Sequence, residues 1–190
     1  VVQAATKYII GHSDAMLGVA TCKDVATYRT LKEAANWVGH GVAPDIVWTA
    51  HRGLRTLPVR LEQHYKAGLV LAKWCETRPE ISNVLHPALQ SHPDHEIWKR
   101  DFSGATGLFT IQLDTTDKAR AIKFVEGLRL FGMGFSWGGF ESLALISDPS
   151  HARTATQWTD KRILVRLHAG LEDIDDLLED LEQSLTAAFQ

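Results

Sequence analysis

The chain has 190 residues, 45% of them apolar, with 20 Lys and Arg against 23 Asp and Glu for a net charge of −3. That is enough apolar material for the core of one domain or two small ones, and it excludes wholesale disorder. No surplus of cations is available to neutralise phosphates, which argues against a dedicated nucleic-acid binder, and no stretch is long and apolar enough to span a bilayer or to act as a signal peptide.

Val1–Thr6 and Ala15–Cys22 read as short buried strands with a polar loop between them. The chain starts without Met inside an apolar run, so a piece of something longer is expected. From Lys23 to Val38, residues Val25, Tyr28, Leu31, Ala35 and Val38 fall on one helical face. Pro44 interrupts this pattern, Asp45–Ala50 can begin another helix, and "HRGLRTLP" reads as a loop or helix break. Pro58 sits well at the first turn of a long helix, with Leu61, Tyr65, Leu69, Ala72 and Cys75 as its stripe and Pro79 as its stop.

Ile81–Leu85 is a strand, Pro87–Asp94 a loop, and Gly107–Leu113 an alternating strand. Asp117–Leu128 is helical, and Leu143–Ile146 and Ile163–Leu167 are strands. A final helix follows Gly170, with Leu171, Ile174, Leu178, Leu181, Leu185 and Phe189 as its stripe. Strands alternating with helices in the second half give an α/β or α+β layer architecture, with a boundary near residues 55–60. Cys22 and Cys75 read as buried free thiols of a reducing compartment, so the cytosol is expected.

Three places can carry chemistry. Lys7 directly follows a strand, where ligand sites of α/β sheets lie, and a lysine in a dry pocket can become a nucleophile. Thr6 beside it offers a hydroxyl to a phosphate. Arg166 stands in the apolar strand "ILVRLHAG", where alternation puts Leu164, Arg166 and His168 on one face. Its guanidinium needs an anion, either a bound carboxylate or an internal Asp or Glu. In "MGFSWGGFESL", Gly138 and Gly139 allow a tight turn or a close backbone approach, with Ser136 and Trp137 at its edge.

Other features read as structural. His92, His95 and Glu96 have helical metal-ligand spacing, but their Pro-containing loop favours capping and solvation, so no metal is expected. His12 either holds the turn after the first strand, the favoured reading, or approaches a bound ligand, and Arg52 and Arg55 either line the site or bond internally. Glu172–Asp176 is a solvated helix start, and the Trp residues other than Trp137 are core.

The string "ATKYIIGHSDAM" resembles the lysine segment of the pyridoxal-phosphate enzymes of cysteine and methionine metabolism. "HRGLRTLPVRL", "HPAL", "WKRDFSGATGLF", the S-x-G-G-x-E-S loop and "VRLHAGLED" extend the resemblance over essentially the whole chain. It implies the aspartate-aminotransferase-like fold (fold type I). Residues 1–57 would end the large cofactor domain, and 58–190 would form a linking helix and a small C-terminal α/β domain. It implies pyridoxal 5'-phosphate on Lys7 through a Schiff base, with Thr6 near the phosphate. Arg166, helped by Ser136 and Trp137, would hold the substrate α-carboxylate.

The residues flanking Ser136, Phe135 and Trp137, resemble those of bacterial β-lyases rather than γ-acting members. The resemblance therefore implies β-elimination of L-cystathionine to homocysteine, pyruvate and ammonia, with γ-lyase or γ-synthase action as the alternative. It also implies that the chain is a C-terminal half. The N-terminal half, carrying the acid for the pyridine nitrogen, the stacking aromatic and the phosphate-binding amides, would be a separate chain or an uncovered segment. An inactive assembly partner is the third reading. A dimer of dimers is the oligomer implied.

Overall fold

A computed structural model describes all residues, 1–190. Strand β1 (Val2–Ala4) pairs antiparallel with β2 (Gly18–Ala20) in a small two-stranded sheet. Helix α1 (Val25–Trp37) follows, capped by the Asp24 carboxylate on the Thr27 amide. The expectation of two buried strands is not met: every residue of β1 and β2 is exposed, and α1 buries none. Their apolar side chains find no cover within these 190 residues, and Val2 is 85% and Trp37 82% exposed.

Helix α2 runs unbroken from Pro44 to Glu76. Both expectations for this stretch fail. Pro44 starts the helix rather than ending a pattern, because a missing N–H costs nothing in the first turn. Pro58 lies inside it, on an exposed turn where water can serve the carbonyl that loses its partner. Of the expected stripe, Ala72 and Cys75 are buried, but nearer the start of the helix the buried face is displaced by one residue. Gly53, Arg60, His64, Ala67, Gly68, Leu71 and Cys75 face inward, with Leu61, Tyr65 and Leu69 half-buried beside them. Small residues set that face because backbone approaches it closely: a Cβ on Gly68 would lie 2.7 Å from the Thr106 carbonyl oxygen.

The main sheet has the order β3–β4–β7–β6–β5 and is antiparallel except for the short parallel pair β5–β6. Its strands are β3 (Ile81–Leu85), β4 (Leu108–Leu113), β5 (Gly132–Met133), β6 (Leu143–Ser147) and β7 (Leu164–His168). Short α3 (His95–Asp101), then α4 (Lys118–Gly127) and α5 (Ile174–Phe189), complete the fold. Alternation sends Phe109, Ile111, Leu113, Val165 and Leu167 to one face, where Leu71, Phe124, Leu177, Leu181 and Leu185 of the helices close the core. The same alternation sends Thr110, Arg166 and Leu145, which are paired across β4, β7 and β6, to the opposite face.

Several smaller expectations change. Cys75 is buried and its thiol is pushed up to about 12 by burial, but Cys22 is only half-buried. Trp37 and Trp48 are exposed rather than core, whereas Trp74 packs against the core. No helix is long and apolar enough to cross a membrane.

Candidate active site

The site forms where β7, the turn after β1 and the loop 134–142 meet. Lys7 sits in that turn, half-buried. Its Nζ donates to Ser136 Oγ at 3.1 Å and lies 4.1 Å from the centre of the Trp137 ring. Arg166 Cζ lies 5.4 Å from the same ring. Lys7, Ser136, Trp137 and Arg166 are therefore one cluster, although 159 positions separate the first from the last in sequence.

Lys7 and Arg166 are both free of carboxylates: no Asp or Glu oxygen lies within ion-pair distance of either. The internal salt bridge open to Arg166 on sequence is absent. Its Nη2 donates instead to the carbonyl of Phe135 at 2.7 Å and, at 3.3 Å, to those of Gly134 and Ser136. Nη1 and Nε carry no protein bond, so the rest of the fork is open to an anion. Burial lowers the guanidinium pKa, as it does for any cation taken from water without a counter-charge.

Thr6 does not join the cluster. Its hydroxyl accepts the Leu17 N–H at 3.0 Å and donates to the Leu17 carbonyl at 3.4 Å. The second bond is long, and the hydroxyl proton is free to turn to a better acceptor.

The turn that carries Lys7 is built by residues that pattern reading passed over. Arg60, 6% exposed, donates to the carbonyls of Tyr8 (2.8 Å), Ile9 (3.3 Å) and Gly53 (2.7 Å) and to Thr56 Oγ1 (3.0 Å). Three backbone carbonyls and one hydroxyl, with no carboxylate, compensate this buried cation. Gly53 lets α2 lie directly on the turn, since a Cβ there would fall 2.4 Å from the carbonyl oxygens of Ile9 and Ile10. Only the spacing Gly53–Arg60–His64–Ala67 on α2 hinted at this, as a face of small and polar residues. His12 Nδ1 bonds the Ile10 carbonyl at 2.6 Å and so holds the turn as expected.

The loop is fixed from several sides. Gly138 has φ +82°, a conformation glycine adopts without strain, and a Cβ there would lie 2.7 Å from the Tyr8 nitrogen. Ser13 Oγ donates to Glu141 Oε2 at 2.9 Å. Glu172 is not merely solvated: its carboxylate accepts the Ser142 N–H at 2.7 Å and the Ser142 hydroxyl at 2.8 Å. Ser142 Oγ in turn accepts the Gly170 N–H at 2.8 Å.

Behind Lys7 lie Tyr8, His64 and His168, with ring centres 5.1–5.8 Å apart. Burial pushes the Tyr8 phenol up to about 12. Burial, with His64 and Arg166 adding to it, brings His168 down to about 4, so its ring is neutral. Arg52 and Arg55 stay outside this cluster on an exposed part of α2, with Arg52 over the Trp48 ring at 5.6 Å. His92 and His95 bond backbone groups, the Asp94 amide and the Pro87 carbonyl.

This geometry coincides with a family assignment. Residues 1–186 match the family described as Cys/Met metabolism PLP-dependent enzyme. The chain is 46% identical to a putative cystathionine beta-lyase of Rhizobium johnstonii, over 98% of this chain and 48% of that protein. It is 43% identical to the cystathionine beta-lyase MetC of Escherichia coli, over 95% and 47%, and 40% identical to human cystathionine gamma-lyase, over 97% and 47%. Among solved structures, cystathionine gamma synthase from Xanthomonas oryzae superposes with a TM-score of 0.90 at 32% identity, over all of this chain and 50% of that one. The chain thus spans about half the length of these relatives. The match over residues 1–186, together with relatives 40–46% identical along almost the whole chain, places the chain in the pyridoxal-phosphate-dependent family of cysteine and methionine metabolism.

Proposed function

We propose that this chain supplies the lysine, the carboxylate-binding arginine and the covering loop of a carbon–sulfur lyase that cleaves L-cystathionine by β-elimination to homocysteine, pyruvate and ammonia. One observation carries the reading: the Lys7 amine and the Arg166 guanidinium share the Trp137 ring, and neither has a carboxylate partner.

The donor set fits pyridoxal 5'-phosphate. Lys7 offers a primary amine bound only to a hydroxyl, and Thr6 offers a hydroxyl whose proton is weakly engaged. Bound there, the cofactor supplies an electron sink for the carbanion formed at Cα.

The chain's own residues do the rest. Arg166 holds the substrate carboxylate through its open Nη1 and Nε, while its Nη2 stays on the loop carbonyls. That grip fixes which bond at Cα is broken. The Lys7 amine takes the Cα proton and hands a proton to the sulfur leaving Cβ. Ser136 gives the free amine a resting place between these two transfers, and the Trp137 ring face accepts its charge.

Phe135 and Trp137 on either side of Ser136 favour β- over γ-elimination, and the β-lyase relatives at 43% and 46% identity support the same choice. We further propose that residues 1–57 close the cofactor domain and 58–190 form the linking helix and the small C-terminal domain, with the boundary falling inside the continuous helix α2. The complementary half of the fold covers the exposed faces of β1, β2 and α1, and the whole assembles as a dimer of dimers.

The test pairs the chain with that half and supplies L-cystathionine and pyridoxal phosphate. Pyruvate is expected, and Lys7→Ala abolishes both its release and the visible absorbance of the lysine-bound cofactor. Release of 2-oxobutyrate would instead assign γ-elimination. An assembly with no absorbance and no product would assign a purely structural role.

A further inference from the structure

The loop 134–138 is gripped from one strand by two side chains two positions apart on the same face of β7. Arg166 holds its carbonyls. His168, 1% exposed, holds its amide: Nε2 is 3.0 Å from the Gly138 nitrogen. Nε2 also lies 3.3 Å from the Gly139 carbonyl oxygen, and one ring nitrogen cannot serve both; the shorter contact is to the Gly138 N–H, which can only donate, so the lone pair is assigned to Nε2 and the proton to Nδ1. Nδ1 faces Tyr8 Oη at 3.5 Å, and the ring leans on the rings of Tyr8 and His64 at 5.8 and 5.2 Å. On its other side Gly138 touches the Lys7–Tyr8 backbone, with room for no side chain: a Cβ would meet the Lys7 carbonyl carbon at 2.9 Å.

Building on the reading above, we propose that His168 is a positioning residue for Lys7. The imidazole pins Gly138 onto the Lys7–Tyr8 peptide, and the pinned glycine sets the Ser136 hydroxyl and the Trp137 ring on the Lys7 amine. The chain of contact is continuous: His168 Nε2 to the Gly138 amide at 3.0 Å, Gly138 to the Lys7 backbone, and Lys7 Nζ to Ser136 Oγ at 3.1 Å. Nothing else bonds the Gly138 N–H. The imidazole is thus the one acceptor that holds the loop at the residue after Trp137.

Two substitutions separate this role from simple core filling. His168→Phe keeps an aromatic ring but has no lone pair, and His168→Gln keeps an acceptor near the Nε2 position. Both are read in the 190-residue chain by nuclear magnetic resonance, without cofactor, so that the outcome does not depend on the lyase reading. In the Phe variant the Gly138 amide exchanges about tenfold faster, the scale of one lost buried hydrogen bond. The upfield ring-current shift of the Lys7 ε-methylene, which arises from Trp137, collapses toward its value in Trp137→Leu. In the Gln variant both signals stay near the wild type. If the Phe variant does not fold, His168→Asn, too short to reach the Gly138 amide, takes its place with the same expectation. A folded Phe or Asn variant that keeps both signals overturns the proposal, as does a folded Gln variant that loses them. Absence of lyase activity from the assembled wild-type enzyme, with both signals behaving as described, would instead count against the proposed function and leave His168 in its role.

Discussion

Lys7 Nζ donates to Ser136 Oγ at 3.1 Å across 129 positions of sequence. Neither residue is held there by its own side chain. Arg60 and Gly53 fix the turn under Lys7, while Gly138, Arg166 and His168 fix the loop under Ser136. The bond is therefore a readout of how two independently anchored backbones meet. A flexible amine that must leave and return benefits from such a partner, because the geometry it returns to is set in advance.

Arg166→Lys keeps the charge and loses the planar fork. The lysine cannot hold the Phe135 carbonyl and a carboxylate at once. We expect the KM of the assembled lyase to rise about tenfold to a hundredfold, with kcat falling less, since the main loss is carboxylate binding. Steady-state kinetics on cystathionine checks it; an unchanged KM would remove Arg166 from carboxylate binding.

Gly53→Ala runs against helix propensity. In an exposed helix the change to Ala gains about 1 kcal/mol. Here the new methyl would lie 2.4 Å from the carbonyl oxygens of Ile9 and Ile10, with backbone that cannot step aside cheaply. The expected result is a loss of about 2 kcal/mol or more in urea unfolding, with the turn at Lys7 displaced. A neutral or stabilised variant would mean that α2 and this turn are not in contact in solution.

Acid destabilises the fold through its buried histidines. His64, His86 and His168 are almost fully buried, and burial is the leading cause that lowers the pKa of each. For His168 the fall is from 6.5 to about 4. Between those values the unfolded chain binds protons that the native chain refuses, so stability falls as pH falls through this window. His168 alone contributes about 2 kcal/mol of that loss between about pH 7.5 and about pH 5. Urea midpoints at the two pH values measure it, and His168→Gln should shrink the difference. An identical slope in that variant would show that the native imidazole titrates as it does in the unfolded chain.

Much of this site is legible in the residues themselves. A lysine after a strand, an arginine in an apolar strand and a paired glycine in a serine-containing loop each demand a chemical reason, because each is costly without one. The alternation of β7 places Arg166 and His168 on one face, and the periodicity of α4 and α5 locates both helices to within a few residues. Such local rules act over a turn or a strand, where the backbone period fixes which side chains are neighbours.

What only the tertiary structure decided is which costs are met by which partner. Arg60 is a helix residue like any other until its guanidinium gathers the Tyr8, Ile9 and Gly53 carbonyls. Glu172 belongs to an acidic helix start until its carboxylate closes on Ser142. Gly53 and Pro58 read as a helix break, yet α2 passes through both, because a close contact selects the glycine and solvent tolerates the proline. These outcomes depend on contacts between segments far apart in sequence, and no local period encodes them. The residue types and their order name the chemistry; the packing of β7 and α2 against the Lys7 turn brings it to one place.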